Sequence, residues 1–496
     1  MRHVIILSIA VLAALLLAFA GFGVVRATPV ANPAQPQDSS AVSIPVSSTS
    51  SVPPQNSPMV APPGTLIYNA KRGESIPRIA RHFVSKTSYL TSAELSEALR
   101  KANNKGRSNA VKSGDAVIIP GFLDAPIVEK SVQVPRNFEV RAVYLTGIMA
   151  GSDHGLRIIR RWRELGGNAV VFDLKDSDGI LNIPFEHPLA VQKRRPVIPD
   201  VPKFVRFLHS QNMHAIARIA IFRDEHLVVT HPELAVKSHR TGQPWRENGK
   251  LVWTDPSNPK VQEYDIALAK AAAQSGVDEV QFDYVRFPAE GDQKDARFVF
   301  QTEHPAWHRT DVITDFLKKA YAELHPQGVL LSLDVFGVMA WQRSADLAHT
   351  GQDIPAMAHY CDVLSPMIYP SHFFGMDGYA RPGDAPEHFI GESMDRFQLI
   401  TKDTGVVLRP WLQAFAWRTK TYSPKYIQVQ VETSNKKGGI GFLFWNANNN
   451  YSKPYEAMPS MRAAKLFRGD EVPRTGAVAA QSSSGAHVTL VSTPTQ

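Results

Sequence analysis

The stretch Glu279-Val280-Gln281-Phe282-Asp283-Tyr284-Val285-Arg286-Phe287-Pro288 decides how the chain reads. Its first seven residues are a short run rich in β-branched and aromatic side chains, stopped soon after by a proline, which is the pattern of a buried strand. Runs of the same kind recur at Val140–Thr146, Ala169–Leu174, His214–Ile221, Val329–Val335, Val363–Ile368, Val407–Ala414 and Ile440–Trp445. The segments between them carry apolar residues at helical spacing, as at Val201, Phe204, Val205 and Leu208, or at Ile313, Phe316, Leu317, Ala320 and Leu324. Strands alternating with helices predict a parallel sheet with right-handed crossovers. Eight such units are the number that closes a (β/α)8 TIM barrel, an α/β fold. A doubly wound open sheet is disfavoured by that count and by the lack of a Gly-x-Gly-x-x-Gly turn after the first run.

In a closed barrel the reactive end is the carboxyl end of the strands. Those ends read Phe172-Asp173-Leu174-Lys175-Asp176, Asp283-Tyr284-Val285-Arg286, Asp334-Val335-Phe336-Gly337, Tyr369-Pro370-Ser371-His372, Gln413-Ala414-Phe415-Ala416-Trp417 and Trp445-Asn446. Ionised carboxylates late in apolar strands are too costly to bury in packing and must meet water, a cation or a ligand. Asp283 and Asp334 fall on neighbouring strands and can converge to the ~5–10 Å that glycosidic cleavage uses. Arg286 is expected beside them, holding one carboxylate ionised. The alternative is that Asp173 and Asp283 pair with Lys175 and Arg286 and only brace the barrel mouth. Trp341, Tyr369, Trp417 and Trp445 lie at or after strand ends, where flat rings can stack on sugars. Asp173, Asp176, His372, Gln413 and Asn446 complete the expected substrate-binding set.

Composition narrows the classes. The chain has 496 residues, 44% hydrophobic and 20% charged, with a net charge of +8, which excludes wholesale disorder and a multi-span membrane protein. So small a basic excess, whose densest cluster is Lys193-Arg194-Arg195, argues against nucleic acid as a partner. The single cysteine, Cys361, excludes an internal disulfide and is expected to be a buried thiol. His304 and His308 have tempting metal-ligand spacing, but Pro305 disfavours the helix that would put them on one face. A carboxylate-bound calcium at Asp173, Asp176 and Asp178 is a weaker expectation than an ordinary polar loop. No cofactor and no metal is called for.

Arg2 and His3 precede an apolar stretch, Val4 to Val25, in the layout of an export signal, with small-residue cleavage points after Ala20 and Ala27. The expected organisation is a signal peptide or signal anchor at 1–27, a Pro/Ser-rich linker at 28–64, a small module at 65–122, a linker at 123–136, the barrel at 137–467 and a tail at 468–496. The chain is therefore expected to be exported to the periplasm, cell envelope or medium, touching a membrane only through its amino-terminal segment.

The small module has a strand (Leu66-Ile67-Tyr68) and a turn (Lys71-Arg72-Gly73-Glu74). A helix follows that Ser75 can cap, with Ile76, Ile79, Ala80 and Phe83 on one face, then a second helix with Leu95, Ala98, Leu99 and Ala102, and a strand at Ala116 to Ile119. This βααβ order, opening Lys-Arg-Gly-Glu-Ser and closing Ser-Gly-Asp-Ala-Val-Ile-Ile-Pro, resembles the lysin motif (LysM) family. The resemblance implies binding to glycans that contain N-acetylglucosamine, such as peptidoglycan. The segments Val84 to Thr91 and Lys105 to Asn109 are longer than that family's norm.

The larger block carries Asp173-Leu174-Lys175-Asp176 with Gly179, Phe282-Asp283-Tyr284-Val285-Arg286-Phe287-Pro288, Asp334-Val335-Phe336-Gly337 and Pro366-Met367-Ile368-Tyr369-Pro370-Ser371-His372. Together these resemble a glycoside hydrolase barrel domain once filed as a domain of unknown function and distantly related to α-amylase-like glycosidases. The resemblance implies a nucleophile at Asp283 and an acid/base at Asp334. It departs from the wider group in having Asp rather than Glu on the fifth strand and an Arg after the fourth-strand Asp. The expected function is an extracytoplasmic glycoside hydrolase acting on a cell-envelope glycan or exopolysaccharide. The alternative is a non-catalytic glycan-binding scaffold, which a cleft lacking a second carboxylate near Asp283 would favour.

Overall fold

The strands and helices of the computed structural model, which describes residues 62–463 apart from residue 193, fall into two units. The division between the units falls after Pro126. The export signal, most of the first linker and the tail lie outside the described residues. Among the described residues no helix is long and apolar enough to cross a membrane.

In the first unit β1 (Thr65–Asn69) pairs antiparallel with β2 (Ala116–Pro120), and α1 (Ile76–Phe83) and α2 (Ser92–Ala102) lie between them in sequence. Ile76, Ile79, Phe83, Leu95, Leu99, Val117 and Ile119 form its core, each contributing about 1.5–3 kcal/mol by leaving water. Ser75 occupies the N-cap of α1 with extended backbone but makes no side-chain cap bond; the expected cap is absent. Thr91 does cap α2, accepting from the Glu94 N–H. At the other end of α2, Asn103 donates to Leu99 O and Ile118 O and accepts from the Ile118 N–H, fixing the helix to β2.

The second unit is the closed eight-stranded parallel barrel. Its strands are β3 (Val140–Leu145), β4 (Ala169–Lys175), β5 (His214–Ala220), β6 (Glu279–Asp283), β7 (Leu330–Phe336), β8 (Val363–Ile368), the split pair β9 (Val407–Leu408) and β10 (Trp411–Gln413), and β11 (Gly441–Trp445). Each pairs with the next in chain order, and β11 pairs back onto β3, so the sheet has no free edge. The seventh run is split because Pro410 has no N–H to give to a ladder. Outer helices include α3 (Asp153–Glu164), α4 (Val201–Ser210), α5 (Pro259–Gln274), α6 (Arg309–Leu324), α7 (Pro386–Ile400) and α8 (Pro424–Lys436). Their apolar stripes pack on the sheet, as where Phe316 of α6 meets Phe282 and Phe222.

Two local irregularities shape the mouth. The β4–β5 register slips between Asp173 and Lys175, and such a bulge re-aims the side chain that follows it. Lys175 accordingly reaches Asp224 and Asp265 of α5, each at 2.9 Å, while Asp173 stays on the inner face. Strand β6 ends at Asp283, two residues short of its sequence run, because Tyr284 takes a left-handed φ of 57°. A non-glycine residue held there costs on the order of 1–3 kcal/mol and marks a position worth inspecting.

Candidate active site

Register continued one step past the last β6–β7 pair, Phe282 with Leu333, sets Asp283 level with Asp334 on the same inner face. Between them and Asp173 lies Arg218, contributed by the middle of β5 and almost fully buried. Its Nη1 donates to Asp173 Oδ1 at 2.5 Å and reaches Asp176 Oδ1 at 3.4 Å. Its Nη2 donates to Asp283 Oδ2 at 2.6 Å. Its Nε is 3.2 Å from Asp283 Oδ2 and 3.9 Å from Asp334 Oδ2. Those two distances share one atom, so the two oxygens are at most ~7 Å apart, a bound that admits the ~5–5.5 Å spacing of retaining glycosidases and excludes most of the inverting range.

The three central carboxylates differ in environment. Asp334 is 2% exposed and Asp283 8%. Burial, then the like charge of Asp283, pushes Asp334 well above the ordinary carboxylate range, against Arg218 and the Trp411 N–H that donates to its Oδ1 at 2.6 Å. Asp283 accepts from the Tyr284 backbone N–H at 2.6 Å as well as from Arg218; the left-handed turn at Tyr284 brings that N–H back onto the carboxylate. Burial lifts Asp173 to about 7, although Arg218 and the Tyr144 hydroxyl, donating at 2.5 Å, hold its charged form. The site is thus a guanidinium gripped by Asp173 and Asp283, with Asp334 beside it pushed toward its protonated form.

Aromatic rings wall this cluster. Tyr144 stacks on Trp445 at 4.1 Å, Trp411 meets Trp445 edge-on at 5.8 Å, and the Arg218 guanidinium lies over both Tyr144 and Trp445. Tyr369 sits where its hydroxyl feels Asp334 and Asp283, burial raising it first and the two carboxylates adding to that. His372 packs between Tyr369 and Trp417. Burial, then Arg418, drops its pKa to about 3, so it is a neutral ring. Trp417 is half-buried, with Arg418 over its face at 4.5 Å.

Five expected contacts are placed elsewhere. Arg286 does not hold Asp283: its Nη1 donates to Phe287 O and its guanidinium lies over the rings of Phe336, Trp253 and Tyr284. Arg218 takes the expected role, and Lys175 turns away from Asp173 altogether. The Gln413 amide is committed to the rim loops, accepting from Ser371 N–H and donating to Phe415 O and Thr419 Oγ1. The Asn446 side chain likewise donates to Ala414 O and accepts from the N–H groups of Asn448 and Asn450. Trp341 lies against Phe373 and under the Arg396 guanidinium of α7, on the helix side.

Sequence reasoning missed Arg218, Tyr144 and Trp411. A charged residue inside His214-Ala215-Ile216-Ala217-Arg218-Ile219-Ala220 was the available signal, since an arginine in a run buried on both faces must have anionic company. His304 and His308 end one helix and cap the next, rather than sharing a face. Among the described residues no group of three or more His, Cys, Asp or Glu is arranged to hold a metal ion. Asp178 is engaged by the Ile180 N–H and Asp176 by the Ser177 N–H.

Comparison with known proteins gives one family. The family model described as "Putative glycosyl hydrolase domain" matches residues 142–451, more than half of the chain. No curated protein matches. The solved glycoside hydrolase domain of PgaB (BpsB) from Bordetella bronchiseptica is 14% identical, with 65% of this chain and 98% of that one covered at a TM-score of 0.50, a likeness of fold. A hypothetical protein from Ruminiclostridium thermocellum is 36% identical over 39% of this chain and 97% of its own, at a TM-score of 0.34. The spore cortex-lytic enzyme SleL of Bacillus megaterium is 11% identical over 79% and 85%, at 0.40.

Proposed function

The chain belongs to the "Putative glycosyl hydrolase domain" family, and on that premise we propose that its barrel hydrolyses an extracytoplasmic polysaccharide through Asp283 and Asp334. The observation that carries the reading is the pair of carboxylates level on adjacent strands, both within 4 Å of the Arg218 Nε. Asp283, held in place by Arg218 and the Tyr284 N–H, attacks the anomeric carbon as the glycosidic C–O bond breaks. Asp334, which retains its proton, gives it to the leaving oxygen. It then takes a proton from the water that cleaves the glycosyl ester, and Asp283 leaves as carboxylate. Tyr369, Trp417 and Trp445 serve as the ring-facing wall of the cleft, with Asp173 and Asp176 at its polar edge. A scaffold that only grips glycan is disfavoured, because Asp334 supplies the second carboxylate that reading would lack.

The test is release of reducing ends from a panel of cell-wall and exopolysaccharide substrates. Asp283→Asn and Asp334→Asn should each lower the rate by about 10^2–10^4-fold. Unchanged activity in both variants overturns the mechanism. The first unit we assign, by its βααβ order, to binding N-acetylglucosamine-containing glycan; retention of residues 62–126 on insoluble peptidoglycan tests this, and free elution overturns it. Export through residues 1–27 is tested by finding the expressed protein outside the cytoplasm; its retention inside overturns that assignment.

A further inference from the structure

Four charged side chains on the β5–α5 and β6–α6 connections cluster at a place that the mechanism above does not use. Arg223, Glu247, Arg286 and Glu290 are each more than nine-tenths buried. Among the described residues neither guanidinium forms an ion pair with a carboxylate, and each makes a single side-chain hydrogen bond, Arg223 to Ser177 O at 3.4 Å and Arg286 to Phe287 O at 3.0 Å. Most of the ten or so N–H directions of the two forks are therefore unused by protein. The Glu247 carboxylate accepts no hydrogen bond from a described residue, and Glu290 accepts one, from Asn248 at 3.1 Å.

The four groups nonetheless share one space. Both guanidiniums flank the Tyr284 ring, at 5.6 and 5.5 Å. Beneath Arg286, at 4.7 Å, is the ring of Trp253, whose indole N–H is buried without a partner. Burial, then the neighbouring Glu247, lifts Glu290 to about 7, opposed by both arginines. Arg286 in turn feels Glu247, Glu290 and Asp283. Tyr284 follows Asp283 directly in the chain and Arg286 feels the Asp283 charge, so the cluster stands next to the reacting carboxylate. Unpaired charges are costly to bury, and among the described residues neither fork has a carboxylate within ion-pair distance to offset that cost.

We propose that this cluster is a subsite for a sugar residue bearing a carboxylate, which the forks of Arg223 and Arg286 receive beside Asp283. Planar guanidinium forks match carboxylate geometry, and Glu247 accepts from the hydroxyls of the same ring while Tyr284 covers its face. The inference rests on the hydrolase reading for its placement next to the cleaved bond. Two sugars carry such a group: a uronic acid, with the carboxylate on the ring, and an amino sugar with a lactyl ether.

The experiment measures affinity and reducing-end release by the full chain on a polyuronate, on peptide-free murein strands, and on each polymer after chemical reduction of its carboxyls to alcohols. Wild type should prefer at least one carboxylated polymer over its reduced form by about tenfold or more; which polymer shows the preference identifies the source of the carboxylate. Arg223→Gln and Arg286→Gln should each erase most of that ratio while still binding the reduced polymer. Glu247→Gln should raise the ratio, an effect that misfolding cannot imitate. Equal affinity for both forms of both polymers, or a ratio untouched by the arginine variants, overturns the subsite. Charge preference without any release of reducing ends would keep the subsite and remove the hydrolase reading; release with no charge preference would do the opposite.

Discussion

Arg218 Nη2 lies 2.6 Å from Asp283 Oδ2, while the same guanidinium holds Asp173 Oδ1 at 2.5 Å through Nη1. One side chain from β5 thus ties β4 to β6 at the carboxyl end of the barrel and fixes the position of the group proposed to attack the substrate. Removing it strands Asp173 in a nearly water-free position. We expect Arg218→Gln to destabilise the fold by about 3–5 kcal/mol, the cost of breaking a buried pair from one side. Denaturant unfolding of both proteins checks this, and a change below ~1 kcal/mol would show that the clamp carries little.

The Trp411 N–H donates to Asp334 Oδ1 and so favours its charged form, opposing the upward push of burial and of Asp283. Trp411→Phe removes that donor and must raise the Asp334 pKa further. If Asp334 is the general acid, the alkaline limb of kcat/KM against pH, which reports the acid of the free enzyme, moves to higher pH in the variant. A limb that stays in place, or moves down, would show that another group supplies the proton.

The fold was legible because every barrel strand is a short run buried on both faces, and such runs advertise themselves between helical stripes. Strand ends were less so. Asp283 ends its strand because Tyr284 turns left-handed, which nothing in a β-favouring Tyr-Val-Arg-Phe sequence announces. Asp283 and Asp334 could be picked out as carboxylates late in apolar strands, since such residues cannot be packing. Their partner could not be picked by proximity in sequence: Arg286 is three residues from Asp283 yet joins another cluster, while Arg218 is 65 residues away and touches it. Gln413 and Asn446 sit at strand ends like true ligand contacts, but their amides satisfy loop backbone that would otherwise be orphaned at the rim.

Cys361 sits just before β8 and is buried. Burial, reinforced by Asp362, pushes its thiol far above the usual range, so the nucleophilic thiolate is suppressed. The native protein should not react with a thiol-directed disulfide reagent over minutes at neutral pH, and one equivalent should react after unfolding. Fast labelling of the folded chain would show that the β8 end opens.

At the opposite end of the barrel Glu279 receives Arg409 Nη1 at 2.8–3.0 Å and His214 Nε2 at 3.1 Å. Burial alone would raise this carboxyl, but Arg409, followed by His214, outweighs it and brings the pKa down to about 2. A pKa depressed on folding means that the unfolded chain binds the proton more tightly. The pair therefore contributes stability that is fully present above the unfolded value near 4.3 and is lost as pH falls through about 2. The gap of roughly two units corresponds to ~3 kcal/mol. Glu279→Gln removes the titration and leaves Arg409 without its counter-charge, so the variant should be less stable than wild type at pH 6. The difference should narrow as pH is lowered from about 4.5 to 2, where wild type protonates the same site. Denaturant midpoints across that window measure it, and a difference constant with pH would mean that Glu279 does not carry its charge in the folded barrel.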